Sequence, residues 1–136
     1  MASAVAFMDT VYMQALLDGG DALHAQAKAI EIASYRTVVT SEFVFVELLA
    51  AFCKGEHSRK TVSAYIEFLR TQPQVKIVPA SAELFEEAFQ LYGMRLDKTA
   101  SLVDCTSFII MTNNGIREAL TQDDDFRQAG FNPLLK

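Results

Sequence analysis

Residues 101–126 read SLVDCTSFIIMTNNGIREALTQDDDF, and this stretch decides the fold class. SLVDCTSFIIMT (101–112) is typical of an apolar helix, and Gly115 marks its end. IREAL (116–120) is typical of a short strand, and a run of three aspartates follows it at 123–125. A helix that leads into a strand, with acids directly after the strand, is the pattern of an α/β protein with a site at the carboxyl ends of its strands.

On both sides of this stretch, short apolar strands alternate with helices. Strands are predicted at AVAFM (4–8), TVV (37–39), VKIV (75–78) and NPLL (132–135). Helices are predicted between Asp9 and Gly19, and over 21–35, 43–54, 61–71 and 82–92. Such alternation needs crossover connections, so we expect an α/β fold with a mostly parallel central sheet flanked by helices. The length of 136 residues predicts a single domain over 1–136.

Charge and hydropathy narrow the class of protein without deciding its partner. The net charge is −5, from 12 basic and 17 acidic residues, which at first opposes nucleic-acid binding. If four acids hold metal, 13 acidic residues remain against 12 basic ones, and the objection weakens. No apolar run is long enough for a transmembrane helix. The start, MASAVAFMDT, does not resemble a signal peptide, so we expect a cytoplasmic protein.

Four acids stand out by position. Asp9 follows the first strand and Asp123 follows the IREAL strand, while Glu47 and Asp104 interrupt apolar helices. An unpaired carboxylate buried in such a helix costs several kcal/mol, so an inward acid needs a cation. Each acid also has an ordinary structural interpretation. For Asp9 it is a cap on the next helix, and for Glu47 it is a position at the edge of the apolar face, in contact with water or a lysine.

The structural interpretation is strongest for Asp104, because Ser101 and Asp104 have the spacing of a capping box. For the aspartates at 123–125 the ordinary structural interpretation is a solvated turn. Taken together, however, acids at strand ends and helix starts are the ligands that Mg²⁺ or Mn²⁺ prefers. The sequence has no glycine-rich phosphate loop that would compete with this interpretation.

Four segments resemble the PIN domain family, the fold of the VapC-type toxin ribonucleases. AFMDT (6–10) and TSEFVFVE (40–47) resemble the segments that hold the family's first aspartate and its helix glutamate, here Asp9 and Glu47. DKTASLVDCTSFIIM (97–111) is the most specific segment and holds Asp104. GIREALTQDDDFRQAGF (115–131) resembles the closing segment, with Asp123 at the position of its working aspartate.

The resemblance implies a metal-dependent endoribonuclease that hydrolyses RNA phosphodiester bonds with Mg²⁺ or Mn²⁺. Asp9, Asp104 and either Asp123 or Glu47 would hold the ion, and the remaining acid would orient water. Thr10 and Thr121 lie beside the acids and would either donate hydrogen bonds to the acids or to phosphate, or be ordinary threonines at strand ends. Such relatives are usually toxins of type II toxin–antitoxin pairs, are homodimers, and are held inactive by a small antitoxin protein.

Two positions depart from the family pattern. Asp125 stands where many relatives carry His, and Val11 stands where they often carry a small polar residue. Two alternatives therefore stay open at the level of sequence. One is a catalytically weak or inactive PIN-like module that binds RNA or protein. The other is an α/β phosphoryl-transfer domain, which would need a lysine at a strand end, whereas Lys76 lies inside VKIV.

Overall fold

The computed structural model describes residues 4–136. Within this range five strands form one parallel sheet in the order β3-β2-β1-β4-β5. The strands are β1 (Val5–Met8), β2 (Thr37–Ser41), β3 (Val75–Val78), β4 (Glu118–Leu120) and β5 (Asn132–Pro133). The predicted α/β fold with a parallel sheet is confirmed. The predicted strand positions are confirmed as well, each to within three residues.

The helices flank this sheet. They are α1 (Thr10–Leu17), α2 (His24–Ala29), α3 (Glu42–Ala51), α4 (Glu56–Thr71), α5 (Ala82–Met94), α6 (Leu102–Asn113) and α7 (Asp124–Gln128). Serine caps fix where two of them begin. Ser41 accepts a hydrogen bond from the amide of Val44 at the start of α3, and Ser81 accepts one from Leu84 at the start of α5.

Two helix predictions were wrong in extent, and one helix was missed. The long helix predicted over 21–35 is reduced to α2 and a 3-10 turn at Ile32–Ser34. Asp21 accepts a hydrogen bond from the Leu23 amide, and this local turn delays the helix start. Helix α4 begins five residues before the predicted segment at 61–71. Helix α7 lies in the aspartate run, which had suggested a turn.

The chain order places a crevice at the centre of the sheet. From β1 the chain builds β2 and β3 on one side, and then crosses to build β4 and β5 on the other side. The strand order therefore reverses between β1 and β4, and ligands of open parallel sheets bind outside the carboxyl ends of strands at such a point. β1 is almost fully buried, as is usual for a central parallel strand. Asp9 and Thr121 are the first residues after β1 and β4.

Candidate active site

All four predicted acids line one cavity at this crevice. The cavity has a volume of about 300 Å³, and its lining includes Asp9, Glu47, Asp104 and Asp123 together with Asp125. Val11, Thr99 and Ser101 complete much of the wall. Val11, which replaces a small polar residue of the family pattern, therefore lies beside the acids. None of the five acids makes a salt bridge with any lysine, arginine or histidine in residues 4–136.

Asp9 is the most deeply buried of these acids, with 2% of its surface exposed. Its Oδ2 accepts a hydrogen bond of 2.9 Å from the Thr121 hydroxyl. Within the described residues its Oδ1 has no hydrogen-bond partner, and its side chain does not cap α1. The capping interpretation of Asp9 is therefore wrong. Burial, with the charge of Asp104 second, raises the pKa of Asp9 to about 7.

Asp104 is both a capping residue of α6 and an acid of the cavity. The Ser101 hydroxyl accepts a hydrogen bond from the Asp104 amide at 3.0 Å, and Asp104 Oδ2 accepts one from the Ser101 amide at 3.1 Å. This is the predicted capping box at the start of α6. The same carboxylate lines the acidic cavity and is 8% exposed. Burial raises the pKa of Asp104 to about 6, although its hydrogen bond from the Ser101 backbone acts in the opposite direction.

Glu47 reaches the cavity from the side of α3. Its Oε1 accepts a hydrogen bond from the hydroxyl of Thr10, the first residue of α1. The glutamate is partly buried, lines the cavity, and forms no salt bridge with a lysine among residues 4–136, so the inward interpretation holds for this residue. Thr10 and Thr121 thus each donate a hydrogen bond to one of the predicted acids. Such donors fix the orientation of a carboxylate and leave its second oxygen for another partner.

Asp123 and Asp125 reach the cavity from the start of α7. Asp123 is the N-cap of α7, and its Oδ1 accepts a hydrogen bond of 2.9 Å from the Asp125 amide. Burial raises the pKa of Asp123 above its ordinary value. One carboxylate oxygen from each of Asp104, Asp123 and Asp125 lies within 4.8 Å of the other two. These three residues are called the outer trio below.

The structure therefore groups the acids differently from the sequence prediction. Asp104 and Asp123 come within the span of one ion, and their third partner is Asp125 rather than Asp9 or Glu47. Sequence analysis treated Asp125 as an added negative charge at a His position. No local sequence signal identifies it, because residues two positions apart at a helix start do not ordinarily share a face.

The donor set of the cavity fits a divalent cation. Its ligand atoms are carboxylate oxygens, which Mg²⁺ and Mn²⁺ prefer, and one of them is a buried oxygen without a partner in the described chain. Crowded carboxylates without a neighbouring base repel one another, and a cation would remove this repulsion. The acidic cluster can therefore hold a divalent metal.

Comparison with known proteins identifies the family. The profile of the PIN domain matches residues 6–132. The chain belongs to the PIN domain family. Among curated PIN proteins, it is 33% identical over 125 residues to the 23S rRNA-specific endonuclease VapC20 of Mycobacterium tuberculosis. That alignment covers 92% of this chain and 94% of VapC20. The predicted resemblance is confirmed.

Solved structures of PIN proteins agree with this assignment. The crystal structure of M. tuberculosis VapC20, described as a sarcin–ricin loop cleaving toxin, superimposes with a TM-score of 0.85 at 28% identity. It covers 98% of this chain and 100% of VapC20. VapBC2 from Rickettsia felis, bound to a DNA fragment from its promoter, gives a TM-score of 0.63 at 15% identity, covering 95% of this chain and 96% of that one.

FitAcB from Neisseria gonorrhoeae gives a TM-score of 0.61 at 16% identity, with 95% of each chain covered. At these identities the R. felis and N. gonorrhoeae structures establish the PIN fold alone. The described residues contain no helix that is long and apolar enough to cross a membrane.

Proposed function

We propose that this PIN protein is a divalent-metal-dependent endoribonuclease and the toxin of a type II toxin–antitoxin pair. One observation carries the proposal: Asp9, Glu47, Asp104 and Asp123 line a single cavity at the point where the strand order reverses. VapC20, which is similar to this chain over nearly its whole length, is an endonuclease. The alternative of an inactive module would require no such set of uncompensated acids.

Each acid has a role in the proposed site. Asp9 and Asp104 would hold the ion, because both are buried and Asp9 Oδ1 is free of other partners in residues 4–136. Glu47 and Asp123 would complete the ligands or orient the attacking water. A bound Mg²⁺ or Mn²⁺ lowers the pKa of water and polarises a phosphate. Thr121 and Thr10 keep the carboxylates of Asp9 and Glu47 aimed at the cavity.

RNA would enter across the rim formed by Thr99 and Ser101. These two residues also line a larger groove of about 750 Å³, which includes Arg95 and Lys98. The Arg95 guanidinium stacks 5.4 Å from the centroid of the Phe108 ring, which holds this cation beside the groove. Arg95 and Lys98 would meet the RNA backbone next to the acids. Ribosomal RNA is the substrate class to test first, because VapC20 acts on 23S rRNA.

The test is cleavage of a 23S rRNA fragment that contains the sarcin–ricin loop, with an unstructured RNA alongside. We expect cleavage with Mg²⁺ or Mn²⁺ and none after EDTA treatment. Asp123→Asn should lose most of this activity, because Asp123 lines the acidic cavity. Asp124→Asn is the matched control, since Asp124 points outward and pairs with Arg127 and Gln128. Cleavage that persists in EDTA, or equal loss in both variants, would contradict the proposed site.

We further propose that the protein is a homodimer that uses the exposed face of α5. Phe85 and Phe89 stack with their ring centroids 6.0 Å apart, and both are about half exposed, as is Tyr92. Met94 and Leu96 extend the apolar surface and are more than four-fifths exposed. A contiguous apolar patch of this kind marks an interaction surface in soluble proteins. All of them except Met94 line one part of the groove beside the active site.

Phe89→Asp should convert the dimer into a monomer, because it places a charge in the centre of this face. The measurement is the molar mass in solution by light scattering. Phe68→Asp is the matched control, since Phe68 is 53% exposed on α4 and Phe89 is 52% exposed on α5. A wild-type monomer, or a Phe89→Asp variant that stays dimeric, would overturn this assignment.

We also propose a small antitoxin protein as partner and the cytoplasm as location. A nuclease that cleaves the RNA of its own cell needs a partner that holds it inactive until release, and its substrate is a cytoplasmic RNA.

A further inference from the structure

A second cavity opens next to the acidic one, between the ends of α1 and α3 and the start of α4. Its volume is about 470 Å³, which is larger than that of the acidic cavity and in the usual range of pockets for small organic ligands. Gln14 on α1 belongs to the wall of both cavities. The two cavities are therefore neighbours, and a chain bound across the acids can reach the second cavity past Gln14.

Part of the wall of this second cavity is apolar and includes an aromatic residue. Phe52, at the end of α3, lines the cavity, is partly exposed, and packs against the hydrophobic core. Leu17 and Ala51 line the same cavity. Proteins that bind single-stranded nucleic acids stack unpaired bases on aromatic side chains that the fold holds in place. The apolar part of the wall therefore suits the face of a base.

The rest of the wall carries polar groups that are free to bind a ligand. Asp21 Oδ1 accepts a hydrogen bond of 2.8 Å from the Leu23 amide, and its Oδ2 has no hydrogen-bond partner among residues 4–136. The carboxamide of Gln14 likewise makes no hydrogen bond within that range. Lys54 forms no salt bridge with any acid of the described chain. The cavity thus offers both donors and acceptors.

The balance of these groups favours a base over a phosphate. The lining holds two carboxylates, from Asp18 and Asp21, against the single cation of Lys54. Carboxylates repel a phosphate but accept hydrogen bonds from the N–H groups of a base. Among the RNA bases, guanine presents two adjacent N–H donors, at N1 and N2, together with the O6 acceptor on one edge. A carboxylate matches the two donors, and the amide of a glutamine matches O6.

We propose that this second cavity is a subsite for a guanine base close to the scissile phosphate of the RNA substrate. Phe52 stacks on the base, Asp21 accepts from N1 and N2, and Gln14 donates to O6. Lys54 contacts the phosphate that leads away from this nucleotide. The inference rests on the proposed function, which supplies the RNA. Because Gln14 lines both cavities, these residues are specificity-determining: they decide which phosphodiester lies over the acids.

The test is the binding of guanosine monophosphate, with uridine monophosphate as the comparison, followed by two-dimensional NMR in EDTA. Guanosine monophosphate should shift the amide signals of Gln14, Asp21 and Phe52, and should bind about tenfold more tightly than uridine monophosphate. Phe52→Leu keeps an apolar side chain but removes the ring, so both nucleotides should bind about tenfold more weakly. Asp21→Asn can still accept from the Leu23 amide, and should weaken the guanine nucleotide alone by about tenfold.

Asp18→Asn is the matched control for Asp21→Asn. It removes the same charge from an exposed residue of the same cavity, so guanosine monophosphate should bind to this variant at least as tightly as to wild type. Three results would overturn the subsite: equal affinity of wild type for the two nucleotides, signal shifts that lie away from the cavity, and an equal loss of affinity in the two Asn variants.

RNA cleavage and Mn²⁺ binding are measured separately on the same preparations. Phe52→Leu and Asp21→Asn should bind Mn²⁺ like wild type, and their cleavage positions should lose the preference for guanine. A wild type that binds guanosine monophosphate in this cavity but cleaves no RNA would contradict the proposed function and support the subsite. A wild type that cleaves RNA with Mn²⁺, but has no preference for guanine in cleavage or in binding, would do the reverse.

Discussion

Asp9→Asn should reduce metal-dependent RNA cleavage by about a thousandfold. A bound ion contributes several kcal/mol to the transition state, and about 1.4 kcal/mol corresponds to a factor of ten in rate. Asp9 lies at the end of the central strand, is the most buried acid of the site, and has one oxygen free for an ion within the described chain. The amide of Asn keeps the shape and the hydrogen bond from Thr121 but removes the charge, so the loss reports on metal binding rather than on packing.

The same residue predicts how metal binding depends on pH. Because the pKa of Asp9 is raised to about 7, the metal-free protein carries a proton on this carboxyl below that pH. The ion must displace this proton, so the affinity for Mn²⁺ should fall as the pH is lowered through about 7. Asp18→Asn is the matched control for Asp9→Asn, since Asp18 is an exposed acid at the far end of α1. An Asp9→Asn variant that keeps a tenth or more of the wild-type rate of RNA cleavage would place the ion elsewhere.

The parts of the fold that sequence predicted well are those set by local chemistry. VKIV lies between two prolines and forms β3 over the predicted residues, and Ser101 caps α6 as its spacing to Asp104 indicated. The helix over 21–35 was overestimated, because apolar periodicity does not register a competing hydrogen bond such as that from the Leu23 amide to Asp21. Helix α7 was missed because a run of aspartates is ordinarily solvated, and the run was therefore interpreted as a turn.

The candidate site also contains residues that the sequence predicts and one that it does not. Asp9 and Asp123 were predictable because each follows a strand, and parallel strands bring their carboxyl ends to one edge. Asp125 could not be predicted as a site residue, because the direction of its side chain depends on how α7 packs against α6. That docking is fixed by Phe126, which packs edge-to-face on Phe108 with ring centroids 5.0 Å apart. Sequence analysis thus located Asp9, Glu47, Asp104 and Asp123, whereas the place of Asp125 in the outer trio needed the tertiary structure.

Asp104→Asn should make the metal-free protein more stable near pH 8, although Asp104 belongs to a capping box. The pKa of Asp104 is raised to about 6 and that of Asp9 to about 7, so the folded chain holds protons that the unfolded chain has already lost. Stability without metal therefore falls as the pH rises from about 4 to about 7. Removing the charge at 104 avoids this loss, which for about two pKa units is on the order of 3 kcal/mol.

The capping interaction can be separated from the charge by a second variant. The side-chain oxygen of Asn can still accept the hydrogen bond from the Ser101 amide, whereas Asp104→Ala removes both the cap and the charge. The Ala variant should therefore be less stable than the Asn variant by about 1 kcal/mol. Wild type and the Asn variant should have similar stability near about pH 4, where the carboxyls at 9 and 104 are protonated.

Thermal unfolding in EDTA at these two pH values, and again with Mn²⁺, measures both effects. Mn²⁺ at a hundred times its dissociation constant should stabilise wild type by about 2.7 kcal/mol, and the Asn variant should gain much less. If Asp104 acted through the cap alone, the Asn variant would not be more stable than wild type near pH 8, and Mn²⁺ would stabilise the two proteins equally. That result would remove Asp104 from the proposed metal site.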